Sequence, residues 1–400
     1  MCAYYLIRSQ GFHGEPGLAS LGTLLRRSVL DDYLPFIVLL FSLFTISGGI
    51  RLTGDIPARP RTNTALLFLG AVLASLIGTT GASMVLIRPL LQINRERRHV
   101  KHTVVFFIFL VSNIGGALLP VGDPPLFLGY LKGVPFFWTL RLWPVWLTCV
   151  GLLLAIYWVL DSWFHAREDK VALMLDESNL EPFRLQGGIN LLLLAGVVLG
   201  VAVLVPGVPM PATRILVSAH IRETVLLALA AMSMALTPRT IRQSNQFNFT
   251  AIGEVACLFL GIFITMQVPI ELLHLTGPSL GLTTPAHFFW ASGSLSSFLD
   301  NAPTYVVFFE TARSLPVAPG TALLQLPGAG GQIPVRLLEA VALGSVFMGA
   351  NSYIGNGPNF LVKSIAEESG VRMPSFFGYM AYSGLILIPV FTALTLLFFS

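Results

Sequence analysis

The stretch Val111–Pro125, VSNIGGALLPVGDPP, constrains this chain more than any other. It interrupts an apolar segment that starts at Thr103 (TVVFFIFL) and resumes at Leu126 (LFLGYL). A helix in hydrocarbon must satisfy every backbone N–H and C=O within itself, and glycines, prolines and an aspartate at its middle free some of those groups. Such a break survives where it lines a protein cavity or holds something. Asp123 inside it costs roughly 3 kcal/mol or more unless it has a partner. The break is therefore expected to form half of an ion- or substrate-binding site.

Hydrophobic residues make up 54% of the chain and charged residues 11%, with a mean hydropathy of +0.76. A soluble domain carries about 25% charged residues, so the class is an all-α polytopic membrane protein whose first partner is the lipid bilayer. The net charge of +4 gives no reason to invoke nucleic acid. Cys2, Cys149 and Cys257 lie far apart, in neither a metal-ligand spacing nor a disulfide framework, and are expected to be buried packing residues. The opening MCAYYLIRSQGFHGEPG has no continuous apolar core and is not a signal peptide.

Taken in order, residues 1–32 form a non-membrane N-terminal segment. Residues 33–160 hold a span (Tyr33–Ile50), a hairpin (64–93) with a polar tip at Gly78-Thr79-Thr80-Gly81, the broken helix (103–131) and a second span (Phe136–Leu160). Each hairpin arm is expected to run about 12–15 residues, too short to cross a core of about 30 Å, so the pair is re-entrant. Residues 161–188 are a water-exposed cytoplasmic loop, and residues 189–248 are linking helices (Ile189–Pro206 and Ile221–Leu236). Residues 249–400 repeat the pattern with a span (Phe249–Leu273), a hairpin (288–309) tipped by SSFLDNAP, a helix (337–366) broken at NSYIGNGPN, and a last span (Phe376–Phe399).

The halves match without gaps over a long stretch at an offset of 219 residues, which carries Leu69–Val85 onto Phe288–Thr304, and further along, with gaps, GDPPLFLGYLKGVPFF resembles GNGPNFLVKSIAEESGVRMPSFF. Five full crossings separate Tyr33 from Phe249, and an odd number turns the second copy upside down. That is an inverted-topology repeat, an architecture of secondary transporters with the site at the midplane. Arg51, Arg59, Arg95, Arg97, Arg98, Lys101, Arg167, Lys170, Arg184, Arg239 and others load one set of loops, which the positive-inside rule makes cytoplasmic. The same offset sends the two linking helices largely before residue 1, so the first half is expected to lack N-terminal spans through a shortened start.

Four motifs, GTTGASMVLIRPLL, SNIGGALLPVGDPPLFLGYLKGVPFFW, SSFLDNAPTYVVFF and NSYIGNGPNFLVKSIAE, resemble the bacterial citrate transporter or sodium:proton antiporter family, related to NhaD-type antiporters in the ion transporter superfamily. The resemblance covers roughly Leu30 to the C-terminus. It implies a scaffold domain, a transport domain of two hairpins and two broken helices, elevator-like motion, a homodimer and an inner (plasma) membrane location. It leaves the transported species open between sodium and a carboxylate such as citrate.

Asp123 and Asp300 are the acids at the breaks and tips, expected to hold a cation, sodium, in alternation with a proton. The competing role for each is to cap a half-helix N-terminus. Ser112, Asn113, Asn301, Asn356 and Asn359, with Thr79, Thr80 and Ser297 at the tips, offer neutral oxygens suited to a hard cation, or caps for freed backbone groups. Glu254, early in its span, is a proton-relay candidate, and Arg88 is expected to snorkel to the cytoplasmic face. Gly115, Gly116, Gly122, Gly355 and Gly357 are permissive, letting the backbone turn and approach an ion.

Both sites carry an acid and no Lys or Arg, which points to a sodium:proton antiporter working by alternating access, with no cofactor beyond the ions. The alternative is a sodium- or proton-coupled citrate or carboxylate transporter, whose substrate could use half-helix N-termini. An intramembrane aspartyl protease with Asp123 and Asp300 as its dyad fits poorly, because Pro120 stands where such enzymes keep a glycine.

Overall fold

The computed structural model describes residues 18–178, 180–209, 216–218, 220–270, 280–327 and 331–400. Residues 1–17, with Cys2, and the end of the span expected to close at Leu273 lie outside them. Among the described residues six helices are long and apolar enough to cross a membrane.

The first of these, Gly22–Ser47, begins inside the segment expected to be non-membrane. It joins α1 (Leu18–Arg27) through a π-helical turn (Ser28–Tyr33) to α2 (Leu34–Ser47). Leu18, Leu21 and Leu25 have helical spacing, but Arg26, Arg27, Asp31 and Asp32 break the continuous apolar run by which a span is recognised. After β1 (Arg51–Asp55) comes the first hairpin, α3 (Pro60–Ile77) and α4 (Thr79–Ile93), turned by the single residue Gly78 at φ +82°. A positive φ at that point suits glycine. Arm α3 has 18 residues and could cross a membrane, longer than expected, because Pro60 starts the helix four residues before Thr64.

The first broken helix follows as α5 (Lys101–Leu110), a 3₁₀ turn (Ile114–Leu118) and α6 (Pro124–Leu131). Then come α7 (Trp143–His165), α8 (Lys170–Ser178), β2 (Glu181–Gln186), α9 (Ile189–Val203), α10 (Ile221–Leu236), α11 (Arg239–Ser244) and α12 (Thr250–Thr265). The second hairpin is α13 (Pro285–Ser296) with α14 (Asn301–Ser314). A ribbon of β3 (Leu323–Gln325) and β4 (Gln332–Pro334) leads to the second broken helix, α15 (Val335–Met348) and α16 (Gly357–Glu368), and then to α17 (Phe376–Leu394). The order hairpin, broken helix, long helix thus occurs twice.

Packing sorts these elements into two groups. Helices α2, α9, α10 and α12 pack on one another, with Phe36 against Phe259 at 4.6 Å and the Tyr33 hydroxyl donating to the Ala256 carbonyl at 3.0 Å. Each hairpin packs on its own half's broken helix, α13 on α15 and α3 on the 3₁₀ turn, and also crosswise, α14 on α6 and α16 on α4, so it leans on the other half's broken helix as well. The window Lys101–Leu118 is 89% buried against 22% for Thr250–Ile270, which places the first break at the centre and α12 at the rim.

Helix α7, about 34 Å long, serves as a ruler. The base of the first hairpin meets its C-terminal end, where the Asn63 amide donates to Asp161 at 3.4 Å. Arg141, just before its N-terminal end, pairs with Glu339 at the start of α15 at 2.8 Å. Arg336 in the same turn of α15 donates to the Phe398 carbonyl at 2.7 Å, and Trp290 of α13 donates to Thr395 at 3.0 Å. The starts of α13 and α15 therefore share one end of the molecule, and the first hairpin's base lies at the other.

Two expectations need correction. The stretch 161–188 is exposed over most of its length but is not a simple loop: it holds α8 and β2, Asp161 is fully buried, and Glu168 and Asp176 are buried with it. Arg97, counted among the loop charges, makes a two-pronged pair with Asp161 at 2.7 and 3.2 Å, and His102 adds a contact at 2.8 Å. Burial alone would raise the Glu168 carboxyl, yet the backbone N–H groups of His99 and Arg98, at 2.9 and 3.0 Å, hold it below the usual glutamate range. The fold is all-α in class, as expected, with two short antiparallel ribbons between its helices: β1 pairs with β2 (Arg51 with Gln186, Thr53 with Arg184) and β3 pairs with β4. Finally, Cys149 is buried as expected but Cys257 lies on the exposed face of α12.

A buried pair that loses one partner leaves an uncompensated charge and costs about 3–5 kcal/mol, whereas exposed pairs contribute about 0–1 kcal/mol. Asp161→Ala is therefore expected to lower the unfolding temperature of the detergent-solubilised protein clearly more than Glu177→Ala, which breaks the exposed Arg59–Glu177 pair. Equal effects in a thermal melt would show that the Arg97–Asp161 pair does not hold the hairpin base.

Candidate ion-binding site

Asp123 is 2% exposed and stands at the N-cap position of α6. Its side chain makes no capping bond there. It accepts instead from Thr79 Oγ1 at 2.9 Å, from Asn356 Nδ2 at 3.1 Å and, in a short hydrogen bond, from Asn301 Nδ2. Thr79 opens α4 at the first hairpin tip, Asn301 opens α14 at the second, and Asn356 precedes α16 in the second break. Both hairpin tips and both breaks thus meet at one carboxylate.

Asp123 and Asn356 occupy equivalent points of the two halves with the same extended backbone, φ/ψ of −146°/144° and −157°/141°. Asn356 caps its own helix no more than Asp123 does; its amide also donates to the Ser112 carbonyl at 3.0 Å. Around this pair lies a layer of amides and hydroxyls. Asn113 Nδ2 donates to Asn359 Oδ1 at 2.7 Å and to the Ile108 carbonyl at 2.8 Å. Asn359 Nδ2 donates to the carbonyls of Gly349 and Ser352, both at 2.9 Å. Ser112 and Ser83 share a hydroxyl bond at 2.9 Å. The first tip docks on its own break through the Thr79 N–H and the Gly122 carbonyl at 2.8 Å.

Asp300 is placed differently. Its side chain accepts from the Ala302 N–H at 3.2 Å, so it caps α14, and no hydrogen bond joins it to Asp123. The residue beside it, Asn301, reaches the centre instead. Ser297 binds the second tip to the second break by donating to the Met348 carbonyl at 3.1 Å and accepting from Asn351 at 2.9 Å. Thr80 lies on a cavity wall, without a side-chain hydrogen bond among the described residues. Glu254 is exposed on α12, outside the lining of the Asp123 cavity and without a hydrogen bond or ion pair among the described residues. Arg88 is half-buried and donates to Gln246 at 2.9 Å.

Two residues that carry the site, Asn351 and Ser83, escaped the sequence reading. Asn351 begins the second break, and its match to Ser297 becomes visible only when the tip is docked.

The cavity beside Asp123 measures about 130 Å³ and is walled by Phe36, Leu39 and Leu43 of α2, Ile252 and Val255 of α12, and Thr80. Asp123 is the sole charged residue in its lining. Asn301 Oδ1 and Asn113 Oδ1 are buried and have no hydrogen-bond partner among the described residues. Nor do these residues contain a cluster of three His, Cys, Asp or Glu side chains. A cation in this cavity would meet the Asp123 carboxylate and the Thr79 and Thr80 hydroxyls, an all-oxygen donor set that suits a hard ion such as sodium.

A polytopic helical protein with two broken helices meeting two hairpin tips at one buried acid has the build of a secondary transporter. The family model described as "Putative citrate transport" matches residues 12–399, and the chain belongs to that citrate-transport family. No curated protein matches the chain.

The glycines of the breaks serve close packing and not unusual dihedrals, since none of the five named above has a positive φ. A Cβ on Gly115 would lie 2.5 Å from the Leu110 carbonyl, and one on Gly355 would lie 2.5 Å from that of Gly349. Gly357 meets nothing within 4 Å, so the permissive role expected of it is not needed. Gly115→Ala and Gly355→Ala are expected to destabilise by about 1–3 kcal/mol and to reduce transport, whereas Gly357→Ala, whose added methyl meets only open space, is expected to leave stability unchanged. A fall in melting temperature in Gly357→Ala alone would contradict close packing as the role of the other two.

Proposed function

We propose that this protein is a cation:proton antiporter in which sodium and a proton compete for Asp123. The observation that carries this reading is the lining of the central cavity, where the sole charge is that carboxylate and no basic residue is present. A carboxylate that is ionised with a cation and neutral with a proton can hold either, which is the minimum requirement for exchange. Thr79, Asn301 and Asn356 hold the carboxylate directly, with Asn113 behind them. Asp300 acts from its cap position as a support for Asn301.

In this reading the two halves are an inverted repeat with re-entrant hairpins. The meeting of the first hairpin's base with one end of α7, and of the start of α15 with the other, supports it. The group α2, α9, α10 and α12 is the scaffold, and the crosswise hairpins and broken helices form the moving body. The cavity lies between the two, where a displacement of one against the other would change its access.

A second reading, sodium- or proton-coupled citrate transport, is favoured by the family match. It requires the cation held at Asp123 to bridge to the substrate, since a tricarboxylate would otherwise face a bare negative charge in a small, largely apolar cavity.

Proteoliposomes holding a pH gradient separate the two readings. Sodium or lithium alone is expected to dissipate the gradient in the wild type but not in Asp123→Asn, while citrate alone has no effect. Asp300→Asn is expected to retain transport, because asparagine caps a helix as well as aspartate. Dissipation that needs citrate would overturn the antiport reading in favour of the second, and wild-type rates in Asp123→Asn would sink both.

A further inference from the structure

We infer that the pocket between the start of α3, the end of α7 and α8 is a binding site for a phosphate headgroup, supplied by an anionic phospholipid of the bilayer. The pocket has a volume of about 570 Å³ and lies where two membrane-length helices end, at Pro60 and His165. Its rim carries Arg59, Arg61, His165 and Lys170. Glu177 is engaged by Arg59 at 2.7 Å, and Asp176 is turned inward to accept the Ala58 N–H at 2.9 Å. Arg61 and Lys170 pair with no carboxylate among the described residues, and Ser162, near the end of α7, lines the same pocket with no side-chain hydrogen bond among those residues. The free donors therefore outnumber the acceptors, and the group that matches them is a phosphate.

The apolar surroundings identify the source of that phosphate. Trp158 lines the pocket and is 47% exposed, and Trp163 nearby stacks under the Arg167 guanidinium at 3.5 Å. Tryptophans at this level mark the interface between headgroups and acyl chains. Below the pocket, Leu152, Ile156 and Val159 continue as an exposed apolar strip along α7, and Leu69 and Leu76 do so along α3. Above it, Val171, Met174 and Leu175 of α8 are exposed on a short helix at the same boundary. A free phosphate would use the basic rim but leave the strip uncovered, whereas a phospholipid covers both. Basic pockets at the ends of membrane helices select anionic headgroups in this way. The site is independent of the central cavity and of what is transported there.

The test is native mass spectrometry of the detergent-purified full chain titrated with phosphatidylglycerol, phosphatidylcholine or inorganic phosphate. Phosphatidylglycerol adducts are expected to form in preference to phosphatidylcholine and to weaken roughly tenfold or more in the double variant Arg61→Gln/Lys170→Gln. A second double variant, Arg184→Gln/Arg239→Gln, removes two charges outside the pocket and is expected to bind as the wild type does. Equal weakening in the two variants would show diffuse surface attraction and overturn the site. So would equal binding of the two lipids. Capture of inorganic phosphate without lipid, abolishing phosphatidylglycerol binding, would overturn the lipid source. A melting temperature within error of the wild type confirms that each variant is folded when it is compared.

Discussion

Everything at the centre of this protein depends on satisfying backbone that has been opened inside a membrane. Two helices are interrupted, at 111–123 and at 349–356, and each interruption frees N–H and C=O groups that hydrocarbon cannot serve. The chain answers mainly with carboxamides. An asparagine side chain both donates and accepts, so Asn113, Asn356 and Asn359 reach main-chain carbonyls with their amide nitrogens while their oxygens remain for other partners. The oxygens of Asn113 and Asn301 have no hydrogen-bond partner among the described residues, so the network is fixed by its donors.

The two halves are nearly equivalent in build but unequal in charge. The equivalent positions hold Asp123 in one half and Asn356 in the other, and the two side chains bond to each other. One carboxylate therefore serves four elements, and a single proton or monovalent cation can neutralise it. A second carboxylate in place of Asn356 would set two like charges about 3 Å apart, which cannot both stay ionised. Polar satisfaction at the centre has a counterpart at the hairpin base, where Asn63 and Asn94 exchange amide bonds at 2.8 and 2.9 Å beside the Arg97–Asp161 pair. The hairpin is tied down at both ends by buried polar contacts, with an apolar shaft between.

Much of this is legible in the sequence because hydrocarbon makes interruptions conspicuous. Glycine, proline and aspartate inside an apolar run announced both breaks and both tips, and the repeat gave their order. Two adjacent residues show where such reading stops. Asp300 and Asn301 both looked like ligands, but one caps its own helix while the other crosses to the opposite half; only the direction of each side chain separates them. Arg97 and Asp161 were misread for a related reason. Charges near span ends are normally solvated, and nothing local reveals that these two, far apart in the chain, bury each other. The helix from Gly22 was missed because its apolar face is broken by paired charges, Arg26 with Arg27 and Asp31 with Asp32.

The account stands on Asp123 holding a cation or a proton, but not both. Calorimetric titration of the purified protein with sodium, repeated in buffers of different ionisation enthalpy, measures this directly. The proposed exchange predicts that sodium binding releases protons, about half of one per ion at the pH where the site titrates and approaching one below it, seen as a buffer-dependent heat, and that Asp123→Asn removes both the heat and the proton. Sodium binding with no buffer dependence, or binding that survives in Asp123→Asn, would contradict it.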